Sequence, residues 1–172
     1  MKKNFSQGSK LGFTLIELLV VVAIIGILAS VILASLNNAR SKGNDATVKS
    51  DLATVQTQAQ LYYDDYSGAY RSTVGSGDYE GNCLTSSSVF QDTTGASSDG
   101  QAQSKIIAAA INNAFKSGGG AKDCRLSNLG DKYMVAIKLA SVNAYWCVDS
   151  QGNAIQISSL PSSGPPIYVG CQ

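Results

Sequence analysis

The residues from Phe13 to Leu36 form an apolar run that contains one charged residue, Glu17. As an α-helix this run spans roughly 36 Å, enough to cross a hydrocarbon core of about 30 Å. Lys2, Lys3 and Lys10 precede it, and no acidic residue does. Since basic residues flank the cytoplasmic end of membrane helices, we expect the N-terminus in the cytoplasm. A secretory signal peptide is the alternative, but the apolar run is long and no A-x-A-like cleavage site in a turn-forming context follows it.

From Asp45 onward, apolar residues recur every three or four positions, which is the spacing of one face of an α-helix. Ser67-Gly68 is a typical helix end. We therefore predict one helix from about Thr14 to Tyr66, apolar all round in its first half and amphipathic in its second. The apolar face of the second half consists of Val48, Leu52, Val55, Ala59, Tyr62 and Tyr66.

The rest of the chain is expected to cover this amphipathic face. Residues 75–100 are rich in Gly, Ser, Thr and Asp and are interpreted as loop. A second helix is predicted over residues 102–116, with Ile106, Ile107, Ala110, Ile111, Ala114 and Phe115 on its apolar side. Alternating and β-branched segments predict strands at 132–140, 143–149 and 154–158. The sequence thus predicts an α+β fold, in which a small antiparallel sheet packs its apolar side against residues 45–66 and the proline-containing tail forms a loop.

Charge and histidine content narrow the classes of function. The 172 residues include 13 Lys and Arg and 12 Asp and Glu, and residues 13–172 alone carry ten basic and twelve acidic residues. Nucleic-acid-binding domains usually present a basic face, so no direct nucleic-acid partner is indicated. The chain has no histidine, which is the commonest general base and metal ligand. We therefore expect a protein that is not an enzyme and needs no cofactor.

The four cysteines, Cys83, Cys124, Cys147 and Cys171, all lie downstream of the apolar run and form no CxxC pair. A zinc site is therefore not indicated. An even number of cysteines in a polar domain predicts two disulfides and an oxidising compartment. Three connectivities are open, and we favour Cys83–Cys124 with Cys147–Cys171 because these close the shorter loops. Trp146, next to Cys147, is interpreted as packing on that disulfide.

Residues 8–17 read GSKLGFTLIE and lead directly into the apolar run. Here the sequence resembles the type IV pilin superfamily, which includes pilins, type II secretion pseudopilins and competence pseudopilins. The resemblance consists of a short basic leader that ends in Gly12, the residues from Phe13 to Glu17, and the uninterrupted apolar helix after them. It covers the leader and about the first half of the long helix.

The resemblance implies a prepilin with three parts: a leader at 1–12, a transmembrane and assembly helix at 13–36, and a globular head at 37–172 that includes the C-terminal half of the long helix. The resulting shape would be a lollipop. A membrane-embedded prepilin peptidase would cut between Gly12 and Phe13 and methylate the new amino group of Phe13. Before assembly the chain would be a single-pass protein of the bacterial inner membrane. Afterwards it would lie in a pilus at the cell surface or in the periplasm, its partners being an assembly platform in the inner membrane and further copies of itself.

Glu17 is the residue that this interpretation depends on most. A carboxylate in an apolar membrane helix is a functional candidate because its burial is costly without a partner. Cleavage would expose a positive amine on Phe13, and Glu17 lies four residues away, within reach in one helix. The family implies pairing with the N-terminus of a neighbouring subunit, with Thr14 also part of the assembly segment. The simpler alternative is a carboxylate that reaches the cytoplasmic headgroups and has no further role.

Two other functions remain open within the superfamily. One is a type II secretion pseudopilin in a short periplasmic filament, and the other is a minor pilin whose head binds a ligand or DNA. Asp92 and Asp99 lie in a segment where some pseudopilins hold calcium, although their spacing matches no EF-hand loop and a solvated loop is the simpler interpretation.

Overall fold

We describe the protein from a computed structural model, in which residues 12–66, 68–70, 79–81, 90, 98–127, 129–161 and 170–171 are described. The chain divides into two compact units, Met1–Ala39 and Arg40–Gln172. In the first unit, the described residues are helical from Leu15 onward. The second unit contains the amphipathic helix, a second helix and a sheet, and is called the head below.

The elements, in chain order, are α1 (Leu15–Asp65), β1 (Tyr79–Gly81), α2 (Ser98–Ser117), β2 (Lys122–Leu126), β3 (Tyr133–Lys138), β4 (Tyr145–Asp149) and β5 (Ala154–Ile157). The strands form one antiparallel sheet in the order β1-β2-β3-β4-β5. The predicted α+β class is therefore confirmed, as is the long first helix. The sequence missed β1 and β2, and the loop prediction for 75–100 is wrong at β1 and at the first turn of α2.

The amphipathic part of α1 packs on one face of the sheet. The predicted stripe is buried from Val48 to Tyr62, and Tyr66 packs half-buried at its end. Ile106, which we expected on the apolar side of α2, is exposed, whereas its neighbours on that side are buried or half-buried. The buried partners of the stripe are Ile107, Ala110, Ile111 and Ala114 of α2, together with Cys124, Leu126, Tyr133, Val135, Ile137 and Val148 of the sheet.

Two polar contacts fix α1 against the sheet. The backbone N–H of Ala140 donates to Asp45 Oδ1 at 2.6 Å, and the Ser141 hydroxyl donates to Asp45 Oδ2. Three turns further along, Gln56 Nε2 donates to the carbonyl oxygen of Asn153 at 2.9 Å. Asp45 is almost fully buried, so these bonds satisfy a carboxylate that would otherwise be costly to bury. They set the position of α1 relative to the β3–β4 and β4–β5 turns.

The opposite face of the sheet is also covered, which the sequence did not predict. Met134, Ala136 and Cys147 form a second buried cluster, joined by Cys171 from the C-terminal segment. Beside them lies Arg125, whose side chain is buried. Its Nε donates to Asp123 Oδ2 at 2.9 Å and its Nη2 to the carbonyl oxygen of Pro161 at 2.7 Å. The described residues of the C-terminal segment thus lie on the face of the sheet opposite α1.

The turn after α2 predicts a sharp sensitivity to substitution at Gly118. A Cβ added there would lie 2.4 Å from the carbonyl oxygen of Lys138, a backbone atom that cannot move independently. We expect Gly118→Ala to lower the free energy of unfolding by about 1–3 kcal/mol, the usual cost of overpacking. Gly43→Ala is the matched control, because its Cβ would meet nothing within 4 Å. In a helix interior it should be neutral or stabilise by up to about 1 kcal/mol. Chemical denaturation of the full chain measures both, and equal midpoints for the two variants would contradict the packing shown.

Candidate functional site

In the described part of the N-terminal segment, Gly12, Phe13 and Thr14 precede the first helical residue, Leu15. The side chain of Phe13 is 93% exposed. A Cβ added at Gly12 would meet nothing within 4 Å, so the fold itself does not require a glycine there. A requirement for glycine at this position would therefore come from a molecule that binds the segment.

Thr14 and Glu17 form a reciprocal hydrogen-bonded cap at the start of α1. The Thr14 N–H and the Thr14 hydroxyl each donate to Glu17 Oε2 at 2.8 Å. In return, the Glu17 N–H donates to Thr14 Oγ1 at 3.3 Å. This is a capping box, in which the N-cap threonine and the glutamate at the third helical position satisfy each other's backbone donors. The cap was not predicted, although its T-x-x-E spacing can be read from the sequence.

The capping box leaves part of Glu17 available to another molecule. Both bonds that Glu17 accepts go to Oε2, and among the described residues Oε1 accepts none. A cut between Gly12 and Phe13 would leave the Thr14 N–H and hydroxyl in place, because both lie on the downstream side of the cut. The box would therefore survive cleavage.

The rest of this segment presents an apolar surface. From Leu15 to Leu36, the large apolar side chains are between 51% and 80% exposed. α1 is long and apolar enough to cross a membrane, by length and composition. Such a surface is stable in lipid or against other apolar surfaces, and burying it from water yields about 25 cal/mol per Å².

Three of the four cysteines, for which disulfides were predicted, lie among the described residues. Cys147 and Cys171 are bonded to each other, as the shorter-loop pairing predicts. Cys124 is also in a disulfide, whereas Cys83 lies outside the described residues, so its pairing stays a prediction. The end of the chain is held further by Asp149, whose Oδ2 accepts from the Cys171 N–H at 2.8 Å.

Replacing Cys147 and Cys171 together by alanine should destabilise the head. The bridge joins residues 24 positions apart, and closing a loop of this order contributes about 3 kcal/mol. We expect the double variant to unfold at lower denaturant concentration by a shift equivalent to that loss. Denaturation followed by circular dichroism, with wild type alongside, measures it. An unchanged midpoint would mean that Arg125 and Asp149 hold the C-terminal segment without help from the bridge.

Trp146 does not pack on the disulfide as the sequence suggested. Adjacent residues of a strand point to opposite faces of a sheet, and Trp146 lies with the α1-side core while Cys147 lies in the second cluster. Trp146 instead faces Lys49 of α1, whose Nζ is 4.5 Å from the centre of the indole ring.

The calcium candidate gains no support from the described residues. Asp92 lies outside them, and Asp99 is in the first turn of α2 rather than in a loop. Within the part of the chain that is described, no three His, Cys, Asp or Glu side chains come together as a metal site would require.

The N-terminal segment is similar to segments of known proteins. Residues 8–33 match the family described as the prokaryotic N-terminal methylation motif. The type IV wide pilus major component PilA4 of Thermus thermophilus is 46% identical over 54 residues. The N-terminal segment of the chain is thus similar to that of type IV prepilins. The match to PilA4 covers 31% of this chain and about two fifths of the length of that relative. No solved structure matches.

Proposed function

We propose that this prepilin-like chain is a structural, non-enzymatic subunit of a type IV pilus-like filament. It is cut between Gly12 and Phe13 by a prepilin peptidase, methylated at the Phe13 amine, and assembled through its N-terminal helix. The observation that carries the proposal is the pairing of an exposed apolar helix surface with a single capped carboxylate at its tip. The similarity to a pilus major component supports a pilus rather than a pseudopilus.

The apolar surface explains why the subunit polymerises. In the precursor, lipid covers the residues from Leu15 to Leu36. When the subunit leaves the membrane, the same surface has to be buried against the helices of other copies, because exposure to water is unfavourable. Repetition of one head-to-tail contact that does not close gives a fibre. An assembly platform in the inner membrane supplies the subunits, and the division of the chain at Ala39 supports separate assembly and head parts.

The capped carboxylate explains how the subunits are set in register. Oε2 of Glu17 is engaged by Thr14, and Oε1 is left to accept a bond from the methylated amine of Phe13 on a neighbouring subunit. A charge-assisted bond in an apolar core is strong when made and costly when missing. Only copies that are staggered so that this bond forms would therefore be stable. The leader of residues 1–12 blocks the amine, so cleavage controls entry into the filament.

Shearing of intact cells tests the filament role. If the protein is the subunit of a surface pilus, most of it should leave the cells on shearing and sediment as filaments. Processed protein that stays with the membranes would favour a type II secretion pseudopilin or a rare minor pilin. A chain that is neither released nor processed would contradict the proposal.

A further inference from the structure

A cavity of about 280 Å³ lies in the head between α1 and the turn that joins β4 to β5. Gln56 and Gln60 line it from α1, and Asp149 lines it from the end of β4. Tyr70 and Tyr133 also belong to its wall. These residues all lie in the head unit, so the cavity does not depend on where the N-terminal segment lies.

The two tyrosines bring unused hydroxyl groups to this cavity. Tyr70 and Tyr133 are only 4% and 2% exposed, and their ring centroids are 4.7 Å apart. Neither hydroxyl makes a hydrogen bond to another described residue, and neither is sealed off from solvent. Burial raises the pKa of both tyrosines, so both hydroxyls are protonated at neutral pH. The wall therefore holds two fixed hydroxyl donors whose partner has to come from the cavity.

The two glutamines of α1 add further donors and acceptors. Nε2 of Gln56 donates to the Asn153 carbonyl oxygen at 2.9 Å, and Nε2 of Gln60 donates to Asp64 Oδ1 at 3.2 Å. Each amide keeps a second N–H hydrogen, and neither Oε1 accepts a bond from another described residue. The Ser150 hydroxyl, which also lines the cavity, makes no bond within the described part of the chain.

The wall of the cavity has negative charge. Asp149 is buried, and both of its carboxylate oxygens accept bonds from neutral N–H groups, which leaves the charge in place. Besides burial and Tyr63, the charges of Asp64 and Asp131 raise the pKa of Tyr70, so their field reaches the wall. No Lys or Arg is among the described residues that line the cavity. An anionic ligand is therefore disfavoured.

These groups together define the chemistry of a ligand. A cation accepts no hydrogen bond, so it would leave the tyrosine hydroxyls and the second amide hydrogens without acceptors. Sugar hydroxyls both donate and accept, and they carry no charge. The volume lies just below the roughly 300 Å³ at which cavities for drug-sized ligands begin, which suits a single sugar ring.

We propose that this cavity binds one uncharged hexose unit. The hydroxyls of Tyr70 and Tyr133 donate to sugar oxygens, and the free Oε1 atoms of Gln56 and Gln60 accept from sugar hydroxyls. The unit is either a free sugar or the terminal residue of a glycan. This inference goes beyond the proposed filament role, because it assigns a ligand to the head and requires neither cleavage nor assembly.

Titration of the full chain with neutral sugars tests the proposal. The protein is purified in a zwitterionic detergent, because a detergent with a sugar headgroup would compete for the cavity. Glucose, galactose and mannose are titrated separately, and binding is followed by saturation-transfer NMR. We expect saturable binding of at least one of them. In Tyr70→Phe/Tyr133→Phe, which keeps both rings, the Kd should rise about 25-fold, at roughly fivefold for each neutral hydrogen bond lost.

A second variant and a control separate binding from folding. Gln60→Leu changes an exposed residue of α1 and should raise the Kd at least about fivefold without disturbing the core. Tyr145→Phe removes a hydroxyl from a half-buried tyrosine that packs on the second cluster, across the sheet from α1. This control should bind sugar like wild type.

Methyl glycosides of the sugar that binds distinguish the two sources of the ligand. A methyl group on the anomeric oxygen stands for the rest of a glycan. Binding of a methyl glycoside as tight as that of the free sugar supports the proposal and assigns a terminal residue of a glycan. Binding of the free sugar alone supports it and assigns a free sugar.

Four outcomes would overturn the proposal. The first is that none of the three sugars binds, and the second is that both cavity variants bind like wild type. Equally tight binding of the corresponding uronic acid would contradict the negative field of the wall. Displacement of the sugar by a lower concentration of methylammonium would show a cation site instead. Because no filament is needed, the measurement can fail while the proposed filament role stands, and the reverse also holds.

Discussion

Gly12→Val leaves the protein at precursor length in the membrane fraction. A side chain at this position displaces the scissile bond within a closely fitting protease cleft, and a displacement of about 1 Å slows such a reaction by about 100-fold. The fold does not oppose the substitution, since a Cβ at Gly12 meets nothing within 4 Å. The loss of processing would therefore result from weaker recognition by the peptidase and not from a disturbed fold. Immunoblotting of membranes measures the ratio of precursor to mature protein.

Gly26→Ala is the control for this experiment. Its added Cβ also meets nothing within 4 Å, and it lies well inside the apolar helix. We expect it to be processed like wild type. Normal processing of Gly12→Val would contradict the assignment of the cleavage site.

Glu17→Gln yields a protein that is processed normally but enters filaments at least about tenfold less efficiently. The glutamine retains an oxygen that can accept from Thr14, so the cap is largely kept while the charge is lost. Loss of one charge-assisted hydrogen bond costs about 1.5–3 kcal/mol, equivalent to roughly 10- to 150-fold for each contact. The quantity of subunit in the sheared fraction, relative to mature subunit in membranes, measures the effect.

Thr14→Ala tests the effect of the capping box separately from the effect of the Glu17 charge. It removes the hydroxyl of the capping box and leaves the carboxylate, which costs the helix about 1 kcal/mol. We expect a smaller loss of filaments than in Glu17→Gln, and near-normal yield in Thr14→Ser. Wild-type yield from Glu17→Gln would refute the pairing with Phe13. Equal losses in Glu17→Gln and Thr14→Ala would assign the role of Glu17 to the cap alone.

The long helix was predictable because its apolar pattern is regular. The stripe that begins at Val48 repeats at helical spacing, and the structure buries it. Strand β2 was not predictable, because Asp123 and Arg125 interrupt its apolar pattern. They are tolerated there because they pair with each other and because Arg125 also bonds the carbonyl oxygen of Pro161, 36 residues further along the chain. A sequence pattern cannot reveal compensation that comes from so distant a segment.

The functional segment at the N-terminus could likewise be predicted from the sequence, whereas contacts between distant residues of the head could not. The segment from Gly12 to Glu17 is contiguous, so its motif and even its capping box can be read from the order of residues. Lys49 and Trp146, by contrast, are far apart in sequence and come into contact because α1 packs against the sheet. The adjacency of Trp146 and Cys147 in sequence predicts that the indole packs on the disulfide. In a strand that adjacency places the two side chains on opposite faces.

The chemical state of Phe13 tests most directly whether the chain is a processed prepilin. Mature protein from sheared cells of the native host is digested, and its N-terminal peptide is identified by mass spectrometry. We expect a peptide that begins at Phe13 and carries one methyl group on its amine, abundant in the sheared fraction. A chain that still begins at Met1 in both the sheared and the membrane fractions would contradict the central claim.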